Sequence, residues 1–163
     1  MRVLAIVSAL ILILDQGSKY YVVHALNLIE TGRIDVYPPY LNFIMAWNRG
    51  INFGLGASGA DWVRWALMAV SLVISVAVII WAAKRQEFWF SIGAGFVIGG
   101  AIGNVIDRIR YGAVADFLNM SCCGINNPFV FNVADIAIFA GAALLIVMSG
   151  EKKEDPTNAG DDT

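Results

Sequence analysis

Four aspartates, Asp15, Asp107, Asp116 and Asp135, fall inside or beside long apolar runs, in the company of Lys19, Arg108, Asn104 and Asn132. Ionisable groups are expensive in a bilayer, where they face a protein interior or a wet cavity. Fewer than twenty residues join Asp116 to Asp135. Two acids held close in a poorly solvated site cannot both ionise, so one pKa rises and the pair shares a proton. One carboxylate can then activate water while the other protonates a leaving amine. The same residues can instead form an internal ion-pair network that only holds helices together, and spacing leaves both readings open. For Asp15, Lys19 and Asp107 the network reading is favoured.

Other hydrolytic chemistries fail on inventory. His24 is the only histidine, so a Ser-His-Asp triad would have to use it, and no Gly-x-Ser-x-Gly elbow is present. Ser18 and Lys19 are adjacent, and neighbours on a helix point about 100° apart, which spoils a Ser–Lys dyad. An HExxH motif is absent, and one histidine does not make a zinc cluster, so most metal chemistry is excluded. Cys122 and Cys123 are adjacent, a placement that strains disulfide geometry, and no functional bridge between them is expected.

The elements that must position these residues are membrane spans. The chain has 163 residues, 58% apolar and only 15% charged. That is more apolar surface than a soluble domain of this size hides. Trp65 to Ala83 and Phe88 to Ile106 are uncharged runs of nineteen residues, long enough to cover a hydrocarbon core of roughly 30 Å. Gly95, Gly99 and Gly103 recur every fourth residue in the second run, a small-residue stripe that lets another helix approach closely. Val3 to Leu14 is too short to cross, so the first helix must continue through Asp15 and Lys19 to Val23. A signal peptide is the alternative there, and no A-x-A-like cleavage site follows. The last span covers about residues 129–149.

The sequence therefore predicts an all-α membrane protein with four transmembrane helices, at about 2–25, 62–84, 88–109 and 129–149, in one domain of residues 1–150. The net charge of −2 comes from the tail 151–163, which holds five acids and two lysines. The rest is near neutral, and no nucleic-acid partner is expected. The tail itself reads as a disordered cytoplasmic end. Arg2, Lys84-Arg85 and Lys152-Lys153 flank one face, which the positive-inside rule assigns to the cytoplasm. Asp15, Lys19, Asn104, Asp107, Arg108, Asn132 and Asp135 then share a layer towards the outer face. In the loop 26–61, Leu41, Phe43, Met45 and Trp47 alternate with other residues at the period of a strand. A small extracytoplasmic sheet between spans one and two is expected, with Tyr20 and Tyr21 as interfacial aromatics.

These residues also carry a family pattern. Asp15-Gln16-x-Ser18-Lys19, Asn48-x-Gly50-x-x-Phe53-Gly54, Gly103-Asn104-x-x-Asp107-Arg108, Gly112-x-Val114-x-Asp116-Phe117 and Phe131-Asn132-x-Ala134-Asp135 resemble, in order, five motifs of the lipoprotein signal peptidases. Asn52, Ile136 and the Cys122-Cys123 pair depart from the usual pattern. The resemblance implies an aspartic endopeptidase of the bacterial inner membrane, a monomer, acting on prolipoproteins whose cysteine already carries diacylglycerol. It implies Asp116 and Asp135 as the catalytic pair, without metal or cofactor. Asn104, Arg108 and Asn132 are implied to orient substrate or the pair, with membrane lipid as the surroundings, while the loop of Asn48, Gly50, Phe53 and Gly54 reads equally as substrate-binding or as structural.

A small transporter using its buried carboxylates as a proton or cation relay is the alternative from another class. A relay is expected to thread the membrane depth, whereas these acids share one layer, and no inverted repeat is visible. A non-catalytic membrane scaffold is a third reading.

Overall fold

A computed structural model describes residues 1–50, 61–122, 124 and 127–150. Four of its helices are long and apolar enough to cross a membrane. The first, α1 (Arg2–Lys19), continues without a break into a π-helical stretch at Tyr20–Ala25. A short helix α2 (Leu28–Thr31) follows, then strands β1 (Arg33–Tyr37) and β2 (Leu41–Asn48). The remaining spans are α3 (Asp61–Arg85), α4 (Phe88–Tyr111) and α5 (Val133–Gly150), with strand β3 (Val114–Asn119) between the last two. The π-helical extension is how a short apolar run becomes a 24-residue span, as the charges at Asp15 and Lys19 demanded.

Helix α4 is the centre of the bundle, packed against α1, α3 and α5. Apolar side chains gain little by leaving lipid for protein, so close backbone approach and dispersion must hold such helices together. The glycine stripe provides that approach on the α1 side. A Cβ at Gly99 would lie 2.7 Å from the Ser8 carbonyl and 2.8 Å from Ile11 Cβ. A second glycine face, not apparent from spacing alone, serves α5. There a Cβ at Gly100 would stand 2.5 Å from the Ala134 carbonyl, and one at Gly141 2.6 Å from the Gly93 carbonyl.

The expected sheet between the first two spans is present, and it is larger than expected. Its order is β1-β2-β3, antiparallel throughout, so the segment after α4 adds a third strand. Helix α4 stops at Gly112, whose φ of +74° lets its N–H return to the Arg108 carbonyl at little cost for a residue without a Cβ. The chain then enters β3. Phe117, Ala115, Val22, Val23 and Leu28 form a buried cluster beneath the sheet, with the Phe43 ring edge-on to Phe117 at 5.8 Å.

The last helix begins at Val133, later than its apolar run. Phe131 is instead drawn to β3: its N–H donates to the Leu118 carbonyl at 3.0 Å, and the Leu118 N–H returns to Phe131 at 2.8 Å. Phe53 and Gly54, Asn52, Cys123 and the tail 151–163 lie outside the described residues.

Candidate active site

Asp116 and Asp135 reach one site by different routes. Asp116 lies in β3, where it pairs with Ala46 of β2, and Asn48 pairs two residues along with Val114. Side chains two apart on a strand share a face, so the register sets Asn48 on the same face as Asp116. Asp135 sits in the first turn of α5, where the helix dipole favours a carboxylate.

The residue just before that helix fixes Asp135. The Asn132 side-chain carbonyl accepts from the Asp135 N–H at 2.9 Å, and the Asn132 N–H donates to Asp135 Oδ2 at 3.2 Å. This reciprocal pair is a capping box, which satisfies two otherwise orphaned helix-start donors. The Asn132 side-chain amide then donates to Asp116 Oδ1 at 2.6 Å. One asparagine thus joins both aspartates. Asn104, on α4, donates to Asp135 Oδ1 at 3.0 Å and accepts from Asn132 at 3.3 Å.

Behind this pair lies a second polar group, drawn from α1 and α4. Lys19 Nζ stands 2.9 Å from Asp15 Oδ2 and 2.7 Å from Asp107 Oδ2, and donates to Asn104 at 3.3 Å. Gln16 donates to Asp107 Oδ1 at 3.0 Å and to Asp15 Oδ2 at 3.1 Å. All four oxygens of the two carboxylates are engaged. Asp15 Oδ1 accepts the Ala134 N–H at 2.9 Å, and Asp107 Oδ2 accepts the Ala115 N–H at 3.2 Å. Asp15, Lys19 and Asp107 are all buried, which is tolerable because each charge is paired and hydrogen-bonded.

Asp116 is also buried. Burial first, and the negative charge of Asp135 second, raise its carboxyl from 3.8 to about 6, against the opposing hydrogen bonds from Asn48 and Asn132. Arg108 is half-buried, in the field of Asp135, Asp107 and Asp116. Its guanidinium donates to the Asn104 carbonyl at 3.3 Å and makes no ion pair within 4.0 Å among the described residues. Asp135 is half-buried and Asn48 exposed, so the site opens on the side these residues share.

The structure brings together most residues singled out from sequence: Asn48, Asn104, Asp107, Arg108, Asp116, Asn132, Asp135, Asp15 and Lys19. Gly50 joins the group only through Asn48, whose Oδ1 accepts the Gly50 N–H at 3.0 Å, and its φ of +113° and the close approach of Leu67 of α3 explain the glycine. Phe53 is not among the described residues. Gln16 had no role assigned from sequence, although it sits between the two most telling residues of its motif. The two backbone N–H groups, of Ala115 and Ala134, left no signal in residue type at all.

Comparison with known proteins gives concordant results. The sequence model of a family described as Signal peptidase (SPase) II matches residues 7–150. A lipoprotein signal peptidase from Pseudomonas putida is 37% identical over 155 residues, covering 93% of this chain and 90% of that protein. One from Rhodopseudomonas palustris is 40% identical over 138 residues, covering 83% and 84%. Two solved bacterial membrane enzyme structures share the fold. One has a TM-score of 0.78 at 22% identity, covering 94% of this chain and 96% of the other. The second has a TM-score of 0.74 at 24% identity, covering 95% and 94%.

Proposed function

The chain belongs to the signal peptidase (SPase) II family, and from that premise we propose that Asp116 and Asp135 are the pair with which it works. As a member, it is a membrane hydrolase that removes signal peptides from prolipoproteins at the lipidated cysteine. The cut falls on the amino side of the cysteine that bears diacylglycerol. A carboxylate cluster drawn into one layer suits hydrolysis and not a relay across the membrane.

The observation that carries the assignment is the Asn132 bridge, 2.6 Å to Asp116 and 3.2 Å to Asp135. It holds the two carboxyl groups at one place without neutralising either. Asp116, with its carboxyl at about 6, carries the shared proton. Asp135, whose two oxygens each accept an N–H, acts as the base. Asp135 takes a proton from water as the oxygen attacks the scissile carbonyl, and Asp116 gives its proton to the carbonyl oxygen. Collapse of the tetrahedral intermediate breaks the C–N bond, and the proton on Asp135 passes to the departing amine of the lipidated cysteine. The intermediate hydroxyl returns its proton to Asp116, which restores the pair.

Arg108 and Asn48 stand on the open side, where they can contact the substrate backbone, and Asn104 holds Asp135. Gly50 and Phe53 belong to the same substrate-binding loop in this reading. A diacylated substrate is confined to the bilayer, so a site reached from lipid suits it. The protein is a multi-pass inner-membrane protein. Arg2, Lys84 and Arg85 lie at helix ends away from the carboxylate layer. The positive-inside rule then puts both termini in the cytoplasm and the site at the outer face. The protein acts as a monomer, with all site residues on one chain.

The test is cleavage of a diacylated lipobox peptide by purified protein. Wild type should release the signal fragment, whereas Asp116→Asn and Asp135→Asn should remain folded and inactive. Substantial turnover by either variant would remove that residue from the pair.

A further inference from the structure

The residues behind the pair have a task beyond holding helices together. Asp15 accepts the N–H of Ala134, the residue immediately before Asp135. Asp107 accepts the N–H of Ala115, the residue immediately before Asp116. Lys19 lies between these two carboxylates, at 2.9 Å and 2.7 Å. The arrangement is therefore symmetrical in function though not in sequence. Each proposed catalytic aspartate is preceded by a peptide whose N–H is held by a buried carboxylate, and one ammonium ties the two carboxylates to each other.

We infer that Asp15, Lys19 and Asp107 form a positioning clamp that sets the separation of Asp116 and Asp135 through the Ala134 and Ala115 peptides. This rests on the reading of Asp116 and Asp135 as the catalytic pair. The two aspartates come from elements with no covalent reason to keep a fixed distance: a strand at the membrane surface and the first turn of a helix. Proton transfer through a shared water is intolerant of such slack, since misplacement of about 1 Å can cost about 100-fold in rate. A plain structural network would need only to neutralise its charges. Here the carboxylates also accept the two peptide N–H groups that precede the pair.

Helix α4 fits the clamp closely. A Cβ on Gly103 would run into the Asp15 carboxylate, so Asp15 has room only because residue 103 lacks a side chain. This gives a variant that removes no charge and no hydrogen-bonding group. Gly103→Ala crowds Asp15 Oδ2, the oxygen that Lys19 and Gln16 hold, so the carboxylate must turn or tilt, and its other oxygen is the one on the Ala134 N–H.

The experiment measures kcat and KM per folded molecule on a diacylated lipobox peptide for Asp15→Ala, Asp107→Ala and Gly103→Ala, with folded fraction from size exclusion and thermal unfolding. It also measures inhibition by a peptide analogue with a tetrahedral hydroxyl at the scissile position. Positioning predicts kcat down about 100-fold for the two aspartate variants and about tenfold for Gly103→Ala, with KM little changed. The analogue should lose affinity in step with kcat/KM. Asp15→Asn and Asp107→Asn keep an oxygen for the peptide N–H and should recover part of kcat. If the Asp→Ala variants do not fold, Gly103→Ala decides. Wild-type kcat and inhibitor affinity per folded molecule, with only the folded fraction reduced, would overturn the clamp. So would a rise in KM at unchanged kcat. Asp116→Asn and Asp135→Asn, assayed in parallel, keep the two readings apart: if they are active the pair is wrong, and if they are dead only the clamp is at stake.

Discussion

Asn132 donates its side-chain amide to Asp116 Oδ1 at 2.6 Å while its own carbonyl oxygen caps the helix that carries Asp135. Capping and bridging are thus done by opposite ends of one amide. The two tasks can be separated by substitution. Serine at an N-cap still accepts a backbone N–H, but it is too short to span to Asp116.

Both variants lose the bond to buried Asp116, a cost of about 1–3 kcal/mol, and Asn132→Ala should lose about 1 kcal/mol more than Asn132→Ser, the share of the cap. Both should lose turnover on the lipidated peptide, by about 100-fold, because neither holds Asp116. Thermal unfolding in detergent and initial rates on the same preparations read the two effects. If Asn132→Ser kept wild-type turnover, the bridge to Asp116 would have no part in catalysis.

Asp116→Asn should be inactive yet more stable than wild type at neutral pH. Its folded pKa is raised from 3.8 to about 6, so the folded state binds the proton more tightly than the unfolded chain. The contribution to stability is then greatest below the ordinary value and is lost as pH rises through about 6. Above that, the charged carboxylate costs up to about 3 kcal/mol, which an uncharged isostere avoids. A higher thermal midpoint for Asp116→Asn at pH 7.5, with the gain vanishing near pH 4, is the expected pattern. A lower midpoint at pH 7.5 would mean that the carboxylate is stabilised in place.

The spans and the carboxylate layer were legible because a bilayer punishes charge, so Asp15, Lys19, Asp107 and Asp135 stand out against apolar runs. Strand β3 was not legible. Val114 to Phe117 and Asn119 are all buried, and a strand buried on both faces shows no alternation to read. The start of α5 was misplaced for a similar reason: residues 129–131 are as apolar as the helix, and only the pairing of Phe131 with Leu118 shows where the chain is extended. The link from Asp15 to Ala134 spans 119 residues and ends on a backbone N–H, which residue type cannot report. Gly100 and Gly141 show the limit of the stripe argument: a four-residue spacing found the α1 face of α4, but not the face that meets α5.

Gly100→Ala tests that second face. Its added methyl would meet the Ala134 carbonyl at 2.5 Å, and backbone cannot swing aside as a side-chain end can. Helix α5 must shift at the turn that carries Asp135. Cleavage should fall by at least about tenfold, and the thermal midpoint should drop, since over-packing costs about 1–3 kcal/mol. Gly17→Ala, with nothing within 4 Å of the added carbon, is the control and should lose neither. Full activity in Gly100→Ala would show that α5 can move without disturbing Asp135.

The pH profile gives the sharpest view of the proposed chemistry. Hydrolysis by the pair needs one proton shared between two carboxyl groups, so kcat/KM should be bell-shaped, with apparent pKa values that belong to the pair. The alkaline limb should lie near 6, where Asp116 loses its proton in the free enzyme. For kcat the same limb should move upward, because bound lipopeptide excludes water and burial is the main cause of the raised value. Asn48 gives the sign a second check. Its hydrogen bond lowers the Asp116 carboxyl, so Asn48→Ala should shift the alkaline limb of kcat/KM to higher pH, whatever it does to the maximum rate. Rates on the diacylated peptide between pH 4 and 9 in a constant-ionic-strength buffer decide the matter. A flat profile across that range, or a limb that moves down in Asn48→Ala, would break the link between Asp116 and the shared proton.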